Sequence, residues 1–216
     1  MGRLTFEISM SVDGYVAGPN ADLEDPLGQG GELLHEWIFG TQAWRESHGE
    51  EGGVHDADSE LVAEAIANRG ATIMGRRMFS GGEGPWEQDP NASGWWGDDP
   101  PFRHPVFILT HHEREPVEFP NGTSFNFVTG GIEAALEQAR AAAGDKDVGI
   151  GGGADVAQQY LRAGLIDEMT LHVVPRLMGA GVRLFDGHLS GGGPQLERTR
   201  VLDSPNVTHL RYRVVK

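Results

Sequence analysis

The stretch GIGGGADVAQQYLRAGLIDEMTLHVVPRLMGAGVRLF, residues 149–185, decides the fold. Gly151, Gly152 and Gly153 stand between a short apolar run, residues 148–150, and a segment with helical patterning. Glycine at such a junction lets backbone amides approach a ligand closely, because no Cβ intervenes. The helix that follows places Val156, Ala157, Tyr160 and Leu161 on one face and ends at Gly164. Its N-terminus offers unpaired N–H groups and about half a positive charge to an anion. Strand, glycines and helix together read as a phosphate cradle. Taken alone, the glycines are also compatible with a plain turn. Their spacing is neither G-x-G-x-x-G nor a P-loop, which requires a following Gly-Lys-Ser/Thr.

Two other strand ends supply companions. ATIM (71–74) leads into Gly75-Arg76-Arg77, and VFIL (106–109) leads into Thr110-His111-His112. Guanidinium groups pair with phosphate oxygens in a fixed fork, and a hydroxyl beside two imidazoles suits a nucleotide. Ligands in open α/β sheets sit beyond the carboxyl ends of the strands. Segments 75–77, 110–112 and 151–155 therefore converge on a phosphate-bearing cofactor, although Arg76-Arg77 alone reads as a solvated pair.

Around these segments the pattern alternates strands with helices. Leu4, Phe6, Ile8 and Met10 alternate with polar residues, a strand with one face buried. Turns at Asp13-Gly14 and Gly18-Pro19-Asn20 follow, then a loop-rich region to residue 58 with a short apolar helix at 33–39. Asp58 or Ser59 caps a helix over about 59–69, with Leu61, Val62, Ala65 and Ile66 inward and Gly70 as the stop. Residues 80–104 form an irregular excursion, 126–128 a strand and 131–143 a helix carrying Ile132, Ala135, Leu136 and Ala139 on one face. Met169, Leu171 and Val173 alternate as a strand. Residues 196–202 and 207–214 form an antiparallel hairpin about the turn 203–206, and 191–194 is a loop. The pattern predicts one domain over residues 1–216, with a mixed, mostly parallel sheet, helices on both faces and an antiparallel hairpin at the edge.

Composition bounds the function. The 216 residues are 38% hydrophobic, enough to bury a core without disulfide or metal staples. Cysteine is absent, which excludes thiol catalysis, thiolate zinc sites and disulfides and fits a cytoplasmic setting. The formal net charge is −15, and no basic cluster exceeds Arg76-Arg77, so neither nucleic acid nor an anionic membrane is an expected partner. The N-terminal residues do not read as a signal peptide, and no apolar run has the length of a membrane span.

The chain resembles the dihydrofolate reductase superfamily, and within it the stand-alone bacterial proteins related to the reductase domain of riboflavin-biosynthesis deaminase–reductases. The resemblance rests on SVDGYVAG (11–18), MGRRMF (74–79), ILTHH (108–112) and residues 150–185, and it covers residues 3–214. It implies a three-layer α/β/α dihydrofolate-reductase-like fold and an NADPH-dependent oxidoreductase acting on a small heterocyclic substrate. Gly75, Arg76 and Arg77 would hold the adenosine-side phosphates of NADPH, with Thr110 and His111 beside the ribose and its 2′-phosphate. Gly151, Gly152, Gly153 and Ala154, with Asp155 in the same turn, would contact the pyrophosphate at the helix start. Val16 and Ala17 would present backbone groups to the nicotinamide amide, under a closing 11–20 loop. A homodimer is also implied. Candidate substrates are a pteridine, dihydrofolate or the phosphoribosylamino-pyrimidine of riboflavin synthesis, whose phosphate would need Arg176 or Arg183. A non-catalytic nucleotide-binding homologue is the alternative.

Departures fall on the substrate side. Tyr15 stands where the riboflavin-pathway reductases commonly carry lysine, Met78 replaces a threonine, and Leu34 lies near the place of the pterin-binding carboxylate. Reduction of a C=N or C=O bond needs a proton as well as a hydride. The candidates are Asp13, Glu36 and Asp167. A turn role is the simpler account of Asp13, and the helix-to-strand turn is the simpler account of Asp167 and Glu168. No metal site is expected. His35-Glu36 lacks the second histidine of a zinc-protease helix, because Phe39 stands there, and His111-His112 would point to opposite faces of a strand. The five tryptophans read as core or loop anchors, one or two of them suited to wall a flat pocket.

Overall fold

A computed structural model of the chain describes residues 2–185 and 192–216. Gly191, the first residue of the expected 191–194 loop, lies outside the described residues.

β1 (Leu4–Ser11) lies in the interior of a nine-stranded sheet. The short β2 (Tyr15–Ala17) follows it, then a single 3-10 turn, α1 (Glu36–Phe39), α2 (Gln42–Ser47) and α3 (Ala57–Asn68). β3 (Arg69–Gly75) leads into α4 (Arg76–Ser80), and β4 (Pro105–Leu109), β5 (Val117–Glu118) and β6 (Ser124–Val128) come next. α5 (Gly131–Ala143), β7 (Asp147–Gly152), α6 (Ala154–Arg162) and β8 (Glu168–Val174) form the segment that decides the fold. β9 (Val182–Arg183), β10 (Leu196–Asp203) and β11 (Thr208–Val214) complete the chain. The sheet order is β10-β11-β8-β1-β7-β3-β4-β6-β5, and the pairs from β8 to β6 are parallel. The β10–β11 hairpin is antiparallel at one edge and β5 is antiparallel at the other. β2 and β9 form a separate antiparallel ribbon. This is the mixed, mostly parallel α/β architecture that the sequence predicts.

Helices α5 and α6 cover one face through Ala135, Leu136, Ala139, Val156, Ala157 and Tyr160, packed on Phe6, Ile73 and Ile150. The opposite face is divided. Over β8 and β11, α1 and α3 bring Trp37 and Val62 against Val174 and Val207. Over β3, β4 and β6 on this face, no long helix lies among the described residues. The 80–104 excursion instead lays Trp86, Trp96 and Phe102 around Phe79 and Phe125, whose rings meet edge-to-face at 5.0 Å. Aromatic rings thus supply the apolar area that a helix would otherwise supply.

Several sequence expectations shift. β1 is buried on both faces, because Thr5 and Ser9 lie under the α1–α3 layer and Ser11, accepting from Tyr15 N, lies under β2. The expected helix over 33–39 is a 3-10 turn followed by a one-turn helix, and α2, capped by Thr41, arises within the region read as loop. The cap of α3 is Asp56, whose carboxylate accepts from Ser59 N at 2.9 Å, so Asp58 is free to turn inward. Ile66 is exposed rather than part of the buried stripe. Gly70 belongs to β3. A Cβ there would stand 2.7 Å from Lys146 Cβ and 2.9 Å from Ala143 O, so close packing on α5, not helix termination, requires the glycine.

Candidate functional site

Parallel pairing puts the carboxyl ends of β8, β1, β7, β3 and β4 along one rim. In register, Met74 pairs with Gly152 and Gly75 with Leu109, so the segments 75–77, 110–112 and 151–154 leave three neighbouring strands side by side. The glycines there have distinct physical reasons. A Cβ on Gly75 would lie 2.9 Å from Val156 Cγ2, and one on Gly152, whose φ is +131°, would lie 3.0 Å from Met78 Sδ. Gly153 is different. A Cβ there would meet nothing within 4 Å, so the backbone at the start of α6 faces open space. Gly153 caps α6 without a side chain, which leaves the first-turn N–H groups to an outside acceptor. Ala154 is buried and Asp155 is exposed in that turn. The Asp155 carboxylate suits the helix dipole but would repel phosphate, so its backbone N–H is the useful group.

The two arginines behave differently. Arg76 is buried. Its Nη2 donates to Asp89 Oδ2 at 2.5 Å, its Nε donates to Ser80 Oγ at 2.9 Å, and its guanidinium lies 3.1 Å above the Trp86 ring. Burial pushes the Asp89 carboxyl up, but hydrogen bonds from Ser80, Arg76 and Asn91 outweigh that and hold it below its ordinary value. Arg76 is therefore a clamp that ties the excursion to the end of β3, with only Nη1 unpartnered among the described residues. This corrects the expectation that it offers its fork to phosphate. Arg77 does remain open, 72% exposed and paired with the exposed Glu83. Thr110 is buried, and its Oγ1 accepts from His112 N at 3.1 Å, while His111 is exposed beside it.

The loop after β1 is fastened to the loop after β8. Asp13 accepts from Met178 N at 3.0 Å and Gly179 N at 2.7 Å, and Tyr15 OH donates to Gly179 O at 3.2 Å. The Arg183 guanidinium lies 4.5 Å over the Tyr15 ring and donates to Asp13 O. Ala17 pairs with Val182 in the β2–β9 ribbon, and Val16 turns into the core. Hydrogen bonds from Ser11 and then from the Met178 and Gly179 amides lower the Asp13 carboxyl to about 2. A group held ionised so firmly is a poor proton donor at neutral pH, and the geometry of Asp13 is that of a loop tether. Asp167 is likewise structural. It accepts from Leu4 N and pairs with Lys216 at the amino end of the sheet.

At the β8 end of the rim lies a cleft of about 310 Å³, lined by Leu33, Glu36, Trp37, Val174, Pro175, Arg176 and Asn206. The Trp37 indole N–H donates to Ser9 Oγ at 2.9 Å and the ring forms a wall. Glu36 and Arg176 face each other at 3.5 Å, both about half exposed. Of the two arginines expected to serve a phosphate, only Arg176 lines the cleft, since Arg183 is held on Tyr15. Sequence reading missed the pair His172 and His209, whose Nδ1 atoms lie 2.7 Å apart behind Trp37. The available signal was a histidine at a polar position of each strand, in register across β8 and β11.

The family model described as the RibD C-terminal domain matches residues 3–210. Among solved structures, a putative riboflavin biosynthesis protein from Shewanella sp. PV-4 is 21% identical with a TM-score of 0.62, each chain covered over 99% of its length. A diaminohydroxyphosphoribosylaminopyrimidine deaminase/5-amino-6-(5-phosphoribosylamino)uracil reductase from Thermotoga maritima is 14% identical with a TM-score of 0.58. The match covers 99% of this chain but 57% of that one. A pyrimidine reductase-like protein from Corynebacterium diphtheriae is 12% identical with a TM-score of 0.52, covering 100% of this chain and 92% of the other. No curated protein gives a significant match.

Proposed function

The chain belongs to the RibD C-terminal domain family, and on that premise we propose that it is an NADPH-dependent oxidoreductase reducing a small heterocyclic substrate. The observation that carries this reading is the glycine-lined space at Gly153, set between Gly75-Arg76-Arg77 and the uncapped first turn of α6. It fits a diphosphate, because amides without obstructing side chains and a helix N-terminus meet there, with the exposed Arg77, paired only to the exposed Glu83, on the adjacent strand end. Gly151, Gly152, Gly153 and Ala154, with the Asp155 N–H, would hold the pyrophosphate. Arg77, with Thr110 and His111 on the adjacent strand end, would hold the ribose phosphate, while Arg76 supports them by fixing the excursion. When bound, the nicotinamide supplies hydride.

The rest of the work belongs to the chain. The Asp13 and Tyr15 tethers hold the 12–18 and 175–185 loops together beside the rim, positioned to exclude water, with Val16 and Ala17 behind the reacting ring. Trp37 stacks on a flat ring, Glu36 accepts its N–H groups and is the remaining candidate for proton delivery, and Arg176 takes an anionic tail. The Glu36–Arg176 pairing supports a substrate carrying both an N–H edge and a phosphate or carboxylate, including a ribosylamino-pyrimidine phosphate. A homodimer is proposed as well. Its support is the edge strand β10, which exposes Leu196 and Val201 and has no outer partner among the described residues.

The test is titration with NADPH and NADH followed by tryptophan fluorescence, then NADPH oxidation against dihydrofolate, pteridines and the phosphoribosylamino-pyrimidine. Saturable submillimolar binding with turnover of one substrate supports the reading. Binding without any turnover favours a non-catalytic nucleotide-binding protein, and absence of binding rejects the cofactor.

A further inference from the structure

Behind the cleft, the sheet face under α1–α3 carries a line of buried polar groups that the proposed reaction does not use. His172 on β8 and His209 on β11 are cross-strand partners, 5% and 2% exposed. Their Nδ1 atoms are 2.7 Å apart, so one must donate and the other accept. His209 Nε2 lies 3.0 Å from Asp58 Oδ1, and the Ser204 hydroxyl donates to Asp58 Oδ2 at 2.8 Å. Burial, reinforced by the neighbouring His209 and Arg211, lowers His172 to about 3, so it is uncharged at neutral pH. The Asp58 carboxylate stands at His209 Nε2, and one proton lies between the two Nδ1 atoms.

This arrangement fixes the rotation of both rings. His209 is held at both nitrogens, and His172 is held at Nδ1. A carboxylate orienting one imidazole through its far nitrogen is a general way to set tautomer and ring angle. The two fixed rings, 4.9 Å from each other, pack together against Trp37, with centroids 4.8 and 4.9 Å away and interplanar angles of 44° and 68°. Ser9, the parallel-strand partner of His172, takes the indole N–H. The contacts of the indole with Ser9, His172 and His209 therefore lead back to β1, β8, β11 and, through His209, the Asp58 side chain of α3.

We propose that Asp58, His209 and His172 are positioning residues, a hydrogen-bonded chain that sets the Trp37 indole as the wall of the cleft. The functional consequence rests on the reading that this cleft takes the substrate ring. The structural claim stands apart from it.

The experiment uses the full chain labelled with ¹⁵N-tryptophan and ¹⁵N-histidine. The Trp37 indole resonance is identified by its loss in Trp37→Phe. Asp58→Asn keeps the side-chain volume but removes the charge. The expected result is a shifted or split Trp37 resonance, an unmoved Trp86 resonance, and a change in which Nδ1 of the His172–His209 pair carries the proton. Ser204→Ala, which removes one donor to Asp58, moves the same resonance in the same direction by less. It also provides the decisive reading if Asp58→Asn does not fold. A Trp37 resonance unmoved in the folded variants overturns the proposal. With folic acid as a heteroaromatic probe, Asp58→Asn is expected to weaken binding about tenfold. Failure of the wild-type chain to bind folic acid counts against the cleft reading alone, because the resonance decides the positioning role independently.

Discussion

Replacing Gly153 with alanine separates cofactor binding from stability. The added Cβ would meet nothing within 4 Å, and Gly153 has φ −80° and ψ −166°, an extended conformation open to any residue. The native fold therefore loses no contact and acquires no clash. Alanine is the poorer N-cap, at a cost of about 0.5–1 kcal/mol, and it stiffens the unfolded chain, a gain of about 0.4–1 kcal/mol, so the two nearly offset and Tm moves by about 2 °C or less. The same methyl occupies the space that a diphosphate must enter to reach the α6 amides. Loss of one hydrogen bond to a charged group costs about 1.5–3 kcal/mol, or roughly ten- to hundredfold in Kd. The assay is paired, with thermal unfolding of the apo chain and NADPH titration by tryptophan fluorescence. Unchanged Tm with tenfold or weaker binding is expected. Equal affinity in Gly153→Ala would refute the reasoning, because phosphate would then not approach this backbone. A contrasting control is Gly152→Ala, where φ +131° and Met78 Sδ at 3.0 Å put about 1–3 kcal/mol of strain into the fold itself.

Three further outcomes follow from the same contacts. Asp89→Asn leaves Arg76 without its buried partner, the two side chains being 1% and 8% exposed, and is expected to cost about 3–5 kcal/mol in urea unfolding at pH 7. Since the Asp89 carboxyl is depressed below 3.8, its stabilisation is complete above that value and fades as pH falls through the folded one. The gap between wild type and Asp89→Asn should therefore narrow in acid. Asp13 is lowered to about 2, so its tether is lost only near that pH, and a kcat/KM profile of Asp13→Asn should show the same breaks between pH 5 and 9 as wild type. Arg77→Ala should weaken NADPH about tenfold and leave NADH within about twofold, read by parallel titrations, whereas equal losses would remove Arg77 from the 2′-phosphate.

Much of this was legible in the sequence where one local rule fixed one local outcome. The run over 131–143 carries an apolar stripe with a terminal glycine, and α5 has those bounds. The glycines at 151–153, the helix after them and the alternation at 169–173 gave β7, α6 and β8 in order. What escaped depends on partners distant in sequence. Arg76 looks solvated until Asp89, 13 residues on, folds back over it with Trp86. Asp58 looks like a helix cap until Asp56 takes that place and His209, 151 residues away, claims the carboxylate. Asp13 looks like an acid or a turn residue until the 178–179 amides reach it from the far end of β8. Periodicity reports which face is apolar. It carries no information about which polar group crosses the sheet to meet another.

The most direct test of the central claim is a crystal structure of the chain grown with NADPH. The diphosphate should lie against the amides of residues 151–155, with the ribose phosphate beside Arg77 and the nicotinamide directed toward the Trp37 cleft. A dinucleotide seated elsewhere, with the space at Gly153 left to solvent, would contradict the account.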